Sequence, residues 1–167
     1  MRDLSQTDQA FLRQAIEISR RALEDEGKTP FGAIVVENGE VVGQGTSSVV
    51  ELSDPSAHAE IMALRNAGSK LQRHLFENGV MYASSEPCPM CLVATYWARI
   101  PRLVFAATSR DVATYGFEDL QLYRELTYPR EDRSLREIAV GGNLRDDAVG
   151  ALQAWTEKLP FTVEPKY

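Results

Sequence analysis

The sequence has little of the two residue types that most often bind zinc through sulfur or imidazole. Only two cysteines, Cys88 and Cys91, and two histidines, His58 and His74, occur among its 167 residues. Two cysteines exclude the disulfide framework that stabilises many small secreted proteins. A metal site with sulfur and imidazole ligands therefore has few candidates.

Long apolar runs and an excess of positive charge are also absent. No stretch approaches the ~20 apolar residues that a membrane-spanning helix requires, and the N-terminal segment MRDLSQTDQAF has no signal-peptide core. We therefore expect a cytoplasmic protein with no membrane partner. The net charge of −6 argues against binding to phosphate backbones as the main activity, because that activity usually calls for a basic face. Nucleic acid is thus not an expected partner.

The order of predicted elements favours an α/β fold. Helical periodicity covers residues 5–25, and two strands meet at Asn38-Gly39, a dipeptide typical of tight hairpins. Further helices are predicted from the SAHAEIMALRNAG, EPCPMC and RDDAVGALQAWTEKL segments, and further strands over residues 79–84, 102–108 and 136–142. This order predicts one domain over residues 1–167, a three-layer α/β/α sandwich around a mixed sheet of about five strands. We expect the first two strands to be antiparallel and the later ones parallel.

The PCPMC segment places two thiols on one face at the start of a predicted helix. Cys88 and Cys91 are three residues apart, and Pro89 suits an early helical position. The positive end of the helix dipole favours thiolates there. The segment alone is compatible with a redox pair, with two packed thiols, or with half of a zinc site.

The HAE segment supplies the residue types that a catalytic zinc site needs. His58 and Glu60 lie at the start of another predicted helix, and helix N-termini gather at the carboxyl ends of strands in α/β sheets. One histidine and two cysteines make three ligands, the number typical of a catalytic zinc that leaves one position for water. The order H-x-E then P-C-x-x-C is the known signature of zinc deaminases, in which the glutamate moves protons and does not bind the metal.

These residues predict hydrolytic deamination. Zn²⁺, held by His58, Cys88 and Cys91, would activate a water for attack on a ring carbon that bears an amine, with Glu60 as the proton shuttle. A non-catalytic zinc-binding module is the alternative from another class, but structural zinc usually takes four protein ligands. His74 has no neighbouring ligand types, and we interpret it as a surface or partly packed residue.

The chain resembles the cytidine deaminase-like superfamily, and most closely its bacterial guanine deaminase branch. The segments PFGAIVV, DPSAHAEIMALRNA, EPCPMCLVATYWARI and GFEDLQLYREL carry the resemblance. It implies that Phe31 stacks on the base, that Trp97 lines the pocket, and that Asp119 contacts the substrate amine or relays a proton. It also implies a homodimer in which a C-terminal tail, residues 159–167 here, covers the partner's site through Tyr167.

The sequence departs from the branch at one substrate position. The loop after the second strand usually offers an asparagine to the base, and Ser47 occupies the matching position here. A serine offers one hydroxyl where an asparagine offers both a donor and an acceptor, and such a change alters substrate preference. Guanine, converted to xanthine and ammonia, is the leading substrate; another aminopurine, an aminopyrimidine or an amino-triazine is an alternative. A tRNA adenosine deaminase shares the zinc motif and is the other enzymatic alternative.

Overall fold

The computed structural model describes residues 4–164, and the chain contacts divide it into two compact units that meet after Thr127. The strands of the first unit are β1 (Thr29–Glu37), β2 (Glu40–Ser47), β3 (Gly79–Ser85) and β4 (Arg102–Ala107). Its helices are α1 (Gln6–Arg21), α2 (Val49–Leu52), α3 (Ala59–Leu71), α4 (Pro89–Trp97), α5 (Ser109–Ala113) and α6 (Asp119–Glu125). The second unit contains α7 (Gly142–Thr156).

The strands of the first unit form a mixed sheet in the order β2-β1-β3-β4. The β1–β2 and β1–β3 pairs are antiparallel, and the β3–β4 pair is parallel. The predicted hairpin is confirmed, because Asn38 and Gly39 both have positive φ angles, 53° and 80°, as the tight turn between twisted strands requires. The α/β class and the mixed sheet are confirmed, with four strands in residues 4–164 where about five were expected.

Helices cover both faces of this sheet. Alternate residues of β1 point to opposite faces: Ala33 and Val35 belong to a core that includes α3, whereas Ile34 and Val36 belong to a core that includes α1. The two cores lie on either side of one sheet. The first unit therefore has the predicted three-layer arrangement.

Two glycines of β2 let α3 approach the sheet closely. A Cβ atom at Gly43 would lie 2.4 Å from the carbonyl oxygen of Ala63, and one at Gly45 would lie 2.3 Å from that of Ala59. Any larger residue would push the helix away, because such contacts are far shorter than van der Waals distance. This packing fixes the N-terminus of α3 beside the end of β2.

A buried carboxylate joins α1 to the sheet. Asp8 Oδ1 accepts a 2.6 Å hydrogen bond from the Tyr82 hydroxyl and lies 2.5 Å from Arg102 Nη2, while Ser5 donates to Oδ2 at 2.8 Å. The hydrogen bond from Arg102, followed by those from Tyr82 and Ser5, holds the pKa of Asp8 well below its usual range. Asp8 is therefore ionised and fully partnered at neutral pH.

The second unit, described over residues 128–164, differs from the prediction in one element. Residues 136–142 were expected to form the last strand, and that prediction is wrong: they have no regular structure, and α7 begins at Gly142. A strand needs a neighbour to accept and donate its backbone hydrogen bonds, and residues 128–164 form no other strand. Ile138 and Val140 are consequently exposed.

The apolar residues of the second unit are mostly exposed. Leu144, Leu152 and Trp155 recur on α7 at spacings of eight and three residues, and each is more than half exposed. No helix within residues 4–164 is long and apolar enough to cross a membrane. The expected single domain with a tail from residue 159 stays a prediction, and Tyr167 lies outside the described residues.

Candidate active site

The three predicted metal ligands converge at the N-termini of two helices. His58 is the N-cap of α3 and Cys88 is the N-cap of α4, both with extended backbone, and Cys91 lies in the first turn of α4. Their ligand atoms all lie within 4.8 Å of one another, and the two thiols are buried. Within residues 4–164 they form the one group of three such side chains that could hold a metal ion.

The spacing of these atoms fits zinc. His58 Nδ1 and Cys88 Sγ are 3.6 Å apart. Zinc bonds of about 2.05 Å to nitrogen and about 2.3 Å to sulfur, at a tetrahedral angle, would also separate the two atoms by about 3.6 Å. One imidazole and two thiols are ligands that zinc accepts, and three of them leave a fourth position for water.

Local hydrogen bonds favour ionisation of one thiol. The hydrogen bond from Cys91, followed by that from His58, lowers the pKa of Cys88 to about 4. The same bond to Cys88, together with burial, raises the pKa of Cys91. Cys88 is thus a thiolate at neutral pH, which is the form of cysteine that binds metals.

Glu60 is a buried carboxyl in the first turn of α3, two residues after the ligand His58. Burial raises the pKa of Glu60 to about 7, and the Cys91 thiol is among its hydrogen-bond partners. A carboxyl with this pKa can both accept and release a proton near neutral pH, as general acid–base catalysis requires.

A cavity of about 210 Å³ opens over the ligands and Glu60. This volume corresponds to about seven molecules of liquid water, so the cavity suits one small flat ring system. His58, Glu60 and Cys88 line it, together with residues from β1, β2 and α2 and from the segment that contains α6. Every residue that lines it belongs to the first unit.

Two aromatic rings form one wall of the cavity. Phe31 and Phe117 meet edge to face, with ring centroids 4.7 Å apart and an interplanar angle of 83°. This arrangement is favourable for aromatic pairs, and it offers an apolar surface to a flat ligand.

Two hydroxyls form part of another wall. The Thr29 hydroxyl donates a 2.7 Å hydrogen bond to Ser47 Oγ, and both residues line the cavity. Ser47 is almost completely buried. The wall therefore presents hydroxyl groups at the position that the resemblance assigns to an asparagine side chain.

Two carboxylates, Asp119 and Glu86, lie on the cavity lining. Burial raises the pKa of Asp119, and the charges of Cys88 and Glu86 act in the same direction. Glu86 Oε2 accepts hydrogen bonds of 2.7 Å from both the amide and the hydroxyl of Ser109. The Tyr123 hydroxyl donates a 2.7 Å bond to the carbonyl of Pro87, so α6 is bound to the loop before Cys88.

The structure brings most of the predicted site residues together, but not Trp97. Phe31, Ser47 and Asp119 line the cavity with His58, Glu60 and Cys88. The Trp97 side chain is 74% exposed and lines a different groove, beside Phe76 on the outer side of α3 and α4. The Trp97 position shows that this ring does not reach the cavity of its own chain.

Several cavity residues could not have been found from short motifs. Thr29 and Phe117 reach the site only because β1 pairs with β2 and because Phe117 packs on Phe31. Phe117 lies in the GFED segment, two residues before Asp119, and that proximity was the available signal. His74 is exposed and is not one of the three clustered ligands, as its interpretation as a surface residue expects.

The fold and site define a zinc-dependent hydrolytic enzyme of the α/β class. A family model described as the cytidine and deoxycytidylate deaminase zinc-binding region matches residues 5–107. The chain is 37% identical to a guanine deaminase of Bacillus subtilis over 127 residues, which cover 76% of this chain and 81% of that protein. The chain belongs to the cytidine and deoxycytidylate deaminase zinc-binding family, and zinc is its metal.

Solved structures give the same result for the whole fold. The crystal structure of guanine deaminase from Bacillus subtilis matches with a TM-score of 0.84 and 32% identity, and covers 98% of this chain and 99% of that one. A guanine deaminase from Nitrosomonas europaea matches with a TM-score of 0.64 and 30% identity, over 92% and 86% of the two chains. A tRNA-specific adenosine deaminase of Haemophilus influenzae is 36% identical over 73% of each chain.

Proposed function

We propose that this chain catalyses the hydrolytic deamination of free guanine to xanthine and ammonia. The observation that carries the proposal is one cavity lined by two zinc ligands, His58 and Cys88, together with the buried carboxyl of Glu60. Relatives that are named guanine deaminases match the chain over most of its length, in sequence and in structure. The reaction exchanges the carbon–nitrogen bond of the exocyclic amine for a carbonyl.

Glu60 carries the protons of this reaction. A bound zinc ion lowers the pKa of a coordinated water to near ~7. The Glu60 carboxylate accepts a proton from the attacking water, donates it to a ring nitrogen, and returns a proton to the amine that leaves as ammonia. Because Glu60 is buried beside the ligands, its proton is exchanged inside the cavity and not with bulk water.

The other cavity residues orient the base. Phe31, supported by Phe117, packs against the face of the ring. The Ser47 hydroxyl meets an acceptor on the ring edge, and Asp119 accepts from an amine or relays a proton. These contacts hold the ring carbon over the ligands, and correct positioning of reacting groups is a large part of enzymatic rate enhancement.

An ammonia-release screen with the zinc-loaded protein tests the proposal. Guanine, adenine, cytosine, their nucleosides and amino-triazines are compared at equal concentration, with product identity established by absorbance. We expect guanine to give the largest kcat/KM. Preference for another aminopurine, an aminopyrimidine or an amino-triazine would assign the substrate to that base instead and would point to Ser47 as the cause.

Deamination of adenosine in tRNA is the second candidate, because tRNA-specific deaminases are among the relatives. The charges near the cavity do not favour it. Arg21, Lys28 and Arg65 line a neighbouring groove, but each forms an ion pair, with Glu17, Glu51 and Asp54 respectively. A tRNA arm in the screen decides the question: inosine formation at moderate salt would support this candidate.

We further propose that two copies of the chain form a homodimer through α4. Met90, Val93, Tyr96 and Trp97 recur on α4 at helical spacing and are exposed, and apolar residues in such a stripe usually mark an interface. The exposed apolar residues of α7 support a swapped C-terminal segment. Coverage of the partner's site by Tyr167, a single domain over residues 1–167, and a cytoplasmic location belong to this proposal.

A further inference from the structure

The α6 helix carries Asp119 into the cavity but has little stability of its own. It is seven residues long, and no side chain caps its N-terminus at Glu118. Isolated helices of this length are unstable in water. The position of Asp119 therefore depends on contacts that α6 makes with the rest of the first unit.

One of these contacts is a hydrogen bond to the backbone beside a zinc ligand. The Tyr123 hydroxyl donates to the carbonyl oxygen of Pro87 at 2.7 Å. Pro87 is fully buried and directly precedes Cys88. Tyr123 is four residues after Asp119, and side chains at this spacing lie on the same side of a helix. The bond thus attaches the Asp119 side of α6 to the loop that carries a zinc ligand.

A second contact attaches the other end of the same segment. Glu86, which precedes Pro87, accepts two hydrogen bonds from Ser109 at the start of α5. Residues 109–123 are thus attached at both ends to the three-residue loop 86–88. Phe117 and Asp119, which line the cavity, lie between the two attachments.

From this geometry we infer that Tyr123 is a positioning residue, which holds Asp119 at the substrate by fixing α6 to the loop of Cys88. The inference rests on the proposed function, in which Asp119 contacts the base. It assigns no proton to Tyr123, whose hydroxyl bonds to Pro87. Side chains that orient a group of the site in this way typically contribute 10- to 100-fold to activity.

Tyr123→Phe removes the hydroxyl and keeps the ring, and Tyr115→Phe is the matched control. Tyr115 lies in the same segment but is 82% exposed. We expect Tyr123→Phe to lower kcat/KM about 10- to 100-fold, with one zinc per chain retained and little change in Tm. Tyr115→Phe is expected to retain wild-type kinetics. Unchanged kcat/KM in Tyr123→Phe would overturn the inference.

A double-mutant cycle separates positioning from a general structural effect. If Tyr123 acts through Asp119, adding Tyr123→Phe to Asp119→Asn causes little further loss of kcat/KM, because the group that it positions is already lost. If the two losses multiply, Tyr123 acts independently of Asp119 and the inference is wrong.

Hydrogen–deuterium exchange gives a readout that requires no turnover. We expect faster amide exchange over residues 117–125 in Tyr123→Phe and unchanged exchange in Tyr115→Phe. Unchanged exchange in both variants would show that the hydroxyl does not hold α6, whichever base the wild type accepts. Absence of guanine deamination by the wild type, in contrast, contradicts the proposed function alone, and the kinetic cycle is then run with the base that releases ammonia.

Discussion

Thr29 and Ser47 pair across β1 and β2, and the hydroxyl of Thr29 donates a 2.7 Å hydrogen bond to that of Ser47 at the wall of the cavity. Because Ser47 Oγ accepts this bond, its own hydrogen can be donated to an acceptor on the substrate. The pair thus supplies a directed donor at a position where the resemblance implies an amide. Substrate choice depends on how a ring edge meets this hydroxyl.

Ser47→Ala removes the directed donor and leaves the Thr29 hydroxyl without its acceptor. An unpaired buried polar group costs about 1–3 kcal/mol, and we expect kcat/KM for the preferred base to fall about 10- to 100-fold. Steady-state ammonia release measures the change. Ser48→Ala is the matched control, because Ser48 faces Lys28 and not the cavity; equal losses in both variants would contradict a role for Ser47 in binding.

Glu60→Gln is expected to retain zinc and to lose turnover. The amide has nearly the size of the carboxyl but cannot accept and release the proton, and general acid–base catalysis typically contributes 10²–10⁴-fold. We therefore expect kcat to fall about 10³-fold while metal analysis still finds one zinc per chain. Glu26→Gln, an exposed glutamate elsewhere in the first unit, serves as the control. Near-normal turnover in Glu60→Gln would exclude Glu60 as the proton shuttle.

The two histidines allow a direct test of the metal site. His58→Ala removes one of three ligands, so we expect zinc content to fall well below one per chain and ammonia release to be lost. His74→Ala should retain both, because His74 is exposed and outside the ligand group. Treatment of the wild type with a chelator should abolish ammonia release, and added zinc should restore it. Retention of full zinc by His58→Ala would show that the ligand set is different.

The sequence predicted the chemistry of the site better than its walls. His58, Glu60, Cys88 and Cys91 lie within two short motifs, and their residue types restrict what they can bind. Phe117 acquires its place only through packing on Phe31, a residue far away in the chain. Short-range patterns carry no information about such contacts.

The fifth strand failed for a related reason. Residues 136–142 have an alternating apolar pattern that suits a strand, yet a pattern describes only one face of a strand and not its hydrogen-bonding neighbour. Ile138 and Val140 have the pattern but are exposed. The hairpin at Asn38 and Gly39 succeeded, because there the partner strand follows directly and the turn residues themselves fix the pairing.

Val93→Glu tests the proposed dimer. Val93 is 50% exposed in the middle of the apolar stripe on α4, and a charge there would be buried without a partner in an α4 interface. We expect the variant to sediment as a monomer in analytical ultracentrifugation, where the wild type sediments as a dimer. Leu23→Glu, at an exposed leucine after α1, should remain dimeric. A dimeric Val93→Glu, or a monomeric wild type, would contradict the proposed interface.

Asp8 makes the stability of the first unit depend on acidic pH. Its hydrogen bonds with Arg102, Tyr82 and Ser5 hold the pKa of the folded carboxyl well below its usual range. An aspartate in an unfolded chain has a pKa of about 3.9. A lowered pKa in the folded state contributes stability that is fully present above the unfolded pKa, and that is lost as the pH falls toward the folded value.

Asp8→Asn is therefore expected to lower the free energy of unfolding by about 2 kcal/mol at pH 7 and by less at pH 3. Urea denaturation at pH 7, 5 and 3 measures the difference between wild type and variant. Asp25→Asn is the control, because Asp25 is exposed and its replacement should change stability little at any of these pH values. Zinc loss at low pH is common to all three proteins, so the difference between them isolates Asp8. A difference that stays constant from pH 7 to pH 3 would show that the ionised carboxylate does not supply the stability.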